Sequence, residues 1–206
     1  QNVAIGREAA YFFIGGNNTS IGAKSLLGVN GTSTGTGNTA IGYNSGNAIT
    51  TGSKNVIIGS NTGSTIATSD NNIIISDGGG NNRIQVDSGG NVGIGTSTIE
   101  SYWSGYTALK VGYNNSIFGN TADSVGSAFF ISQNLYNDGG NYRYVGSGSD
   151  EGGLIDLRGG AFVFSNAPLG TAGNVASIVP RLTISSTGAA TFSGTTSANV
   201  VISRDN

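Results

Sequence analysis

The sequence predicts an elongated all-β protein, in which a repetitive β-solenoid or β-roll is followed by a β-sandwich or β-prism domain. Three observations support this fold class. Of the 206 residues, 36 are glycine and only two are proline, a composition typical of strands joined by tight turns. A five-residue unit recurs through the first half, and no segment has the apolar period of an amphipathic helix. We therefore expect very little helix.

The recurring unit has the form Asn-x-x-Ile-Gly and divides the first half into coils of one strand plus turns. Successive copies start 16 to 20 residues apart, and the fifth ends in Ser instead of Gly. Asn and Gly at the two ends of the unit suit corners with positive φ or the close approach of a neighbouring coil. The copies start at Asn2, Asn18, Asn38, Asn55, Asn72 and Asn91.

The fourth position of every copy is isoleucine, which predicts a stacked ladder of side chains. A single coil cannot bury its own apolar face, so we expect the stacked isoleucines to form an interior ladder. The third position points the other way and is never charged. We expect other chains of a homotrimer, or alternatively a second sheet of the same chain, to cover it. The ladder residues are Ile5, Ile21, Ile41, Ile58, Ile75 and Ile94.

The second half is predicted to be a different β-domain, because the repeat stops and aromatic residues become denser. We place the solenoid at residues 1–98, a connecting segment at 99–114, and the β-sandwich or β-prism domain, with an extended C-terminal strand, at 115–206. Short apolar or alternating runs such as 128–132 and 161–164 are separated by Gly-rich turns. This pattern indicates antiparallel strands.

The composition argues against several classes of function. The chain has no histidine and no cysteine, so it lacks the commonest general base and the thiolate metal ligands. Only 10% of its residues are charged, with a net charge of −2, which offers no basic surface to nucleic acid. Its apolar runs are far shorter than a bilayer requires. We predict no enzymatic activity, no cofactor or metal, no nucleic-acid partner and no membrane insertion.

Aromatic residues of the second half are the candidate glycan contacts, because Tyr and Trp rings stack on the apolar faces of sugars and offer a polar edge. Packing of each ring in the core or at an oligomer interface is the favoured alternative. The candidates are Tyr102, Trp103, Tyr106, Tyr136, Tyr142 and Tyr144.

Acidic residues provide two weaker hypotheses. A catalytic pair of carboxylates, as in glycoside hydrolysis, could be drawn from Asp138, Asp150, Glu151 and Asp156. Calcium could use the oxygens of Asp70, Asp77 and Asp87. Solvated turns are the favoured interpretation of both groups.

The coils resemble the head repeats of trimeric autotransporter adhesins and, more closely, the versions found in bacteriophage tail fibres. The segment NTAIGYNSGNAITTGSKNVIIG from Asn38 carries this resemblance. NVGIGTST from Asn91 with ALKV from Ala108 is similar to the unit that closes such arrays. The stretches from Tyr136 and Arg181 resemble the β-domain that precedes an intramolecular chaperone in those fibres.

The resemblance implies a homotrimeric structural protein of a phage virion that contributes to attachment to the host surface. Its expected partners are further copies of itself, other virion proteins and a host cell-surface glycan. A cellular trimeric adhesin head at the extracellular surface is the nearest alternative. A fibre-borne polysaccharide depolymerase and an ice-binding solenoid are more distant ones.

Overall fold

The computed structural model describes residues 1–100, 105–121, 128–146 and 150–194, and it is all-β. Across these residues it has 16 β-strands and one short 3-10 helix. The chain divides into two compact units. Unit 1 comprises Gln1–Ser101 and Thr107–Tyr113, and unit 2 comprises Tyr102–Tyr106 and Asn114–Asn206. No helix among the described residues is long and apolar enough to span a membrane.

Unit 1 is a β-solenoid whose short strands coincide with the repeated five-residue units. The 3-10 helix lies at Ser64–Ile66, and β8 contributes its residues from Thr107 onward to this unit. The strands are β1 (Val3–Ile5), β2 (Thr19–Ile21), β3 (Thr39–Ile41), β4 (Val56–Ile58), β5 (Ile73–Ser76), β6 (Asn82–Val86), β7 (Val92–Ile94) and β8 (Tyr106–Val111).

The parallel stacking of the coils is interrupted once, by a single strand that runs in the opposite direction. Strands β1 to β5 pair in parallel with no offset, β5 to β7 form an antiparallel meander, and β7 pairs in parallel with β8. The span between Asn72 and Asn91 therefore contains an extra strand, where one coil was expected. Asp77 reverses the chain before that strand by accepting the N–H groups of Gly79 and Asn81 at 2.9 and 3.0 Å.

The interior of unit 1 is lined by the third position of the repeat. Ala40, Ile57 and Ile74 have 1% exposure or less and pack with residues from the coil turns, such as Leu26 and Ile49. The chain itself therefore covers this face, which is the alternative to covering by other chains. Further along, the same interior row contains Gln85, Gly93 and Lys110.

The interior row of unit 1 ends in an ion pair. The Lys110 side chain is 1% exposed, and its Nζ lies 2.5 Å from Glu100 Oε1. A buried ammonium group needs such a counter-charge, because its desolvation costs several kcal/mol. The character of the interior thus changes from hydrocarbon at Ile74 to charge at Lys110.

The isoleucine ladder forms as predicted, but its predicted interior location is wrong. Ile5, Ile41, Ile58, Ile75 and Ile94 are 38–58% exposed, and Ile21 is half-buried. Alternation along a strand determines which residues share a face. The turns determine which face is covered. Their apolar side chains pack against the face that carries the third position, which leaves the isoleucines of the fourth position on the uncovered face.

The repeat-opening asparagines form a second ladder, and all of them except Asn2 are buried. All six lie among the described residues, and none has the positive φ expected for a corner. Instead, the side-chain Oδ1 of Asn18 accepts the backbone N–H of Asn38 at 2.8 Å, and Asn38 Oδ1 does the same for Asn55 at 2.9 Å. The Asn38 Nδ2 also donates to the Gly52 carbonyl at 2.9 Å. These bonds satisfy amides that would otherwise be buried without partners.

The repeat-closing glycines all have a positive φ, and those of the first four copies also lie close to the backbone of the next coil. Gly42 has a φ of 133°, and a Cβ placed on it would lie 2.2 Å from the carbonyl oxygen of Gly59 in the next coil. No other residue fits there, because both the backbone conformation and the spacing between coils exclude a side chain.

Unit 2 contains one six-stranded antiparallel sheet in the order β9-β10-β13-β14-β15-β16, together with the separate hairpin β11–β12. One face of this sheet is covered, and Phe118, Phe130 and Leu154 lie beneath that cover with Leu135 and Tyr144 of the hairpin. The strands are β9 (Asn115–Asn120), β10 (Ala128–Gln133), β11 (Leu135–Asn137), β12 (Tyr142–Tyr144), β13 (Gly152–Arg158), β14 (Ala161–Ala167), β15 (Val179–Ile184) and β16 (Ala190–Phe192).

Candidate functional site

The outward side of the unit 1 sheet is an apolar surface made of two parallel rows, which we call the ladder face of unit 1. Every one of the eight strands contributes one residue to each row, and cross-strand pairing keeps the rows in register. One row is Ile5, Ile21, Ile41, Ile58, Ile75, Ile84, Ile94 and Val111. The other is Val3, Thr19, Thr39, Val56, Ile73, Val86, Val92 and Leu109.

No position of this ladder face is charged, and only two are polar, both threonine. Exposed apolar rows of this extent mark interaction surfaces, since isolated apolar residues are normal on a protein surface but contiguous ones are not. The sequence analysis also expected a face that other chains of a homotrimer would cover, but it assigned that face to the third position.

Unit 2 has a comparable surface on the uncovered side of its own sheet, which we call the ladder face of unit 2. Phe129, Ile131, Phe162, Phe164 and Phe192 are 37–54% exposed there. Two rows run across the paired strands. They are Ile117, Ile131, Ile155, Phe164, Leu182 and Phe192, and Gly119, Phe129, Leu157, Phe162, Ile184 and Ala190.

Three of the four predicted glycan-contacting aromatics that lie among the described residues are engaged in packing. Tyr106 and Tyr142 contact the buried rings of Phe118 and Phe130, with centroid separations of 5.9 and 6.1 Å. Burial raises the pKa of the Tyr142 hydroxyl above its usual value.

Two other predicted aromatics differ in their exposure. Tyr144 is 3% exposed and donates its hydroxyl to the Pro168 carbonyl, so its prediction as a glycan contact is wrong. Its ring is needed to fill the space beneath the β11–β12 hairpin. Tyr136 is half-buried, and Tyr102 and Trp103 lie outside the described residues.

The candidate carboxylates are held in turns and ion pairs. Asp138 pairs with Arg143, and this contact holds the pKa of Asp138 below its ordinary value of 3.8. Asp156 pairs with Arg158 on the covered face of the unit 2 sheet. Asp77 bonds the backbone N–H of Asn81, which is the main reason that its pKa falls from 3.8 to about 2. Each of these groups has a structural role.

A polar groove in unit 1 escaped the sequence analysis. It has a volume of about 500 Å³ and is lined by four separate segments, 61–65, 80–82, 95–98 and Tyr113. Its side chains are amides, hydroxyls and one phenol ring, with no charged residue among those that line it. Each contributing segment reads as an ordinary polar turn, so the only available signal was the polar run GTST at 95–98 after the last repeat.

Comparison with known proteins adds no relative: no protein family, curated protein or solved structure matches the chain.

Proposed function

We propose that the chain is a structural fibre protein of a phage virion, part of a tail fibre or related appendage, which assembles as a homotrimer through its ladder faces and contributes to attachment to the host surface. The observation that carries this proposal is the pair of uncharged apolar ladder faces, one in each unit. A single chain leaves both in contact with water.

A further copy of the same chain is the partner that best suits the ladder face of unit 1. Neighbouring strands in a sheet lie about 4.8 Å apart. A second copy whose strands are aligned with those of the first therefore presents its apolar side chains at the same spacing. The uncharged rows offer nothing to a charged ligand, whereas branched aliphatic side chains pack well against one another.

The energy available from this contact is large enough for stable association. Fully burying an isoleucine contributes about 1.5–3 kcal/mol, so covering residues such as Ile41 and Ile58, which are 39% and 41% exposed, gains about 1 kcal/mol each. Several such side chains together offset an association cost of roughly 4–15 kcal/mol. The ladder face of unit 2 adds large aromatic side chains, whose burial contributes further to the free energy of association.

The β-sandwich or β-prism expected for the second domain fits this assembly. Two-layer packing normally buries the apolar face of a sheet against another layer. In the proposed trimer, the unit 2 sheets of neighbouring copies provide that second layer, so the prism is completed between chains.

The molar mass of the purified chain in dilute solution tests the assembly, by light scattering after size exclusion. We expect three times 20.6 kDa. The double variant Ile41→Lys/Ile58→Lys should reduce the mass toward that of one chain, because it places two charges in the interface. Thr68→Lys, at an exposed position off the ladder face, is the matched control and should leave the trimer intact.

A monomeric wild-type chain, or a double variant that still forms trimers, would overturn the proposed assembly. The virion assignment is tested separately with antibodies against the chain, which should label the appendages of the phage particles that carry it. Antibodies that label only cell surfaces would favour the adhesin alternative.

A further inference from the structure

We propose that the polar groove of unit 1 binds a neutral oligosaccharide, with the Tyr113 ring as its stacking platform. This inference deepens the proposed function, on which it rests, by naming the site and the chemical class of the host-surface ligand. It concerns residues that are separate from both ladder faces.

The groove has the size and the rigid floor of a binding site. Its volume of about 500 Å³ falls within the range of roughly 300–1,000 Å³ typical of ligand pockets. Asn61 fixes the floor by donating to the Gly80 carbonyl at 2.9 Å and to Asn82 Oδ1 at 2.7 Å. Its own Oδ1 accepts the N–H of Gly63 at 2.8 Å. The floor of the groove is therefore already rigid before a ligand binds, so binding loses little conformational entropy there.

The walls of the groove carry hydroxyl groups that are available to a ligand. Ser64, Thr65 and Ser97 line it and are exposed. Within the described part of the chain, none of their side chains makes a hydrogen bond. Each hydroxyl can both donate and accept, which suits a ligand that itself carries many hydroxyls.

Tyr113 provides an apolar surface beside these polar groups. Its side chain is 66% exposed, and the buried Lys110 Nζ lies 5.6 Å from the ring centroid. This contact anchors the ring to a residue that is itself fixed by Glu100. An exposed ring in a fixed position can stack on the C–H face of a sugar.

The absence of charge among the lining residues selects the ligand class. Phosphate, sialic acid and uronic acid groups are normally bound by Arg or Lys, and the groove lining has neither. A purely apolar ligand would leave the wall hydroxyls unpaired, which costs binding energy. A neutral sugar satisfies both requirements, with hydroxyls for the walls and a C–H face for Tyr113.

The test is a binding screen of the purified wild-type chain against neutral hexose oligosaccharides, with sialylated and uronic-acid oligosaccharides as charged counterparts. We expect binding to one or more neutral probes and none to the charged ones. For the best probe, titration calorimetry should show at least a tenfold loss of affinity in Tyr113→Ala and near-normal affinity in Tyr113→Phe, which retains the ring.

Tyr43→Ala is the matched control, since Tyr43 is 59% exposed in the same unit but does not line the groove. It should bind like the wild type. Thr65→Ala/Ser97→Ala should lose affinity several-fold, and a thermal melt of each variant confirms folding. Binding to charged probes alone, no binding to any neutral probe, or unchanged affinity in Tyr113→Ala would each overturn the proposal.

The molar mass of the same samples separates this proposal from the one on which it rests. A trimer that binds no neutral sugar would overturn only the groove assignment. A monomer that binds through Tyr113 would overturn only the proposed assembly and would support the groove assignment.

Discussion

Unit 1 and unit 2 both leave one apolar face of a sheet uncovered, but they cover the other face in different ways. In unit 1 the turns of each coil fold back over the strands and bring in side chains such as Leu26 and Ile49. In unit 2 a separate hairpin and a cluster of aromatic rings around Phe130 do this. The comparison teaches that connections between strands decide which face becomes the core, since strands such as β4 and β5 are apolar on both faces.

The units also differ in how closely neighbouring segments approach, and substitution of glycine makes that difference measurable. Gly42→Ala in unit 1 should destabilise the protein by more than about 4 kcal/mol, because its Cβ would overlap the Gly59 carbonyl. Gly159→Ala in the β13–β14 turn of unit 2 also has a positive φ but meets nothing within 4 Å. It should cost only about 1–2 kcal/mol. Chemical denaturation followed by circular dichroism compares the two variants, and equal losses would contradict the close packing of the coils.

Adjacent residues in β4 distinguish the covered face from the uncovered face. Ile57→Ala should cost about 2–5 kcal/mol at any protein concentration, because Ile57 is 1% exposed. Ile58→Ala should cost less in dilute solution, because Ile58 is 41% exposed, and its cost should rise by about 1 kcal/mol in concentrated samples where chains associate. Urea unfolding at two protein concentrations measures both effects. If Ile58→Ala proves the more damaging variant in dilute solution, our assignment of inside and outside is wrong.

The asparagine ladder belongs to unit 1, and Asn38→Ala should lower the free energy of unfolding by about 1–3 kcal/mol. The substitution leaves the Asn55 N–H and the Gly52 carbonyl without their partner. Asn30→Ala, at an exposed turn position, is the control and should change the free energy of unfolding by less than about 0.5 kcal/mol. Similar values for the two variants would show that the ladder adds no stability.

The smallest expected effects concern two turn carboxylates, one in each unit. Both pKa values are lowered, that of Asp77 to about 2. The stabilisation they give is therefore present above the ordinary value of 3.8 and is lost as the pH falls through the lowered value. Arg143→Gln should return the pKa of Asp138 toward 3.8, since Arg143 is the main cause of its shift.

Arg83→Gln should change the pKa of Asp77 less, because the backbone N–H of Asn81 is the larger cause there. Carboxyl carbon NMR titration of each variant measures these values. A larger change at Asp77 than at Asp138 would contradict the assigned causes.

The sequence predicted the features that depend on local repetition. Strands lie on all six copies of the repeat, and the closing glycines have the expected conformation. The interior face could not be predicted, because Ile57 and Ile58 are the same residue type on opposite sides of one strand. The sequence does not reveal the extra strand β6, because the turns on either side of it resemble the linking stretch of a single coil.

The groove was beyond prediction for a different reason. It joins residues as distant as Asn61 and Tyr113, and nothing in their local sequence indicates that they meet. The predicted aromatics share a high density along the chain, and such density is as typical of rings that pack together as of rings that face solvent. Tyr113 stands apart from those clusters.

The buried ion pair of Lys110 and Glu100 fixes the alignment of the coils in unit 1. Coils that share the Asn-x-x-Ile-Gly unit could shift by one repeat with little loss of hydrogen bonding between their strands. Such a shift would move Lys110 away from Glu100 and against hydrocarbon at a cost of several kcal/mol. The double variant Lys110→Met/Glu100→Gln should therefore keep most of its stability but show additional sets of amide NMR signals from shifted coils. A single set would mean that the turns alone fix the alignment. The buried charge of Lys110 therefore selects one alignment of the coils, because every shifted alignment would leave that charge unpaired.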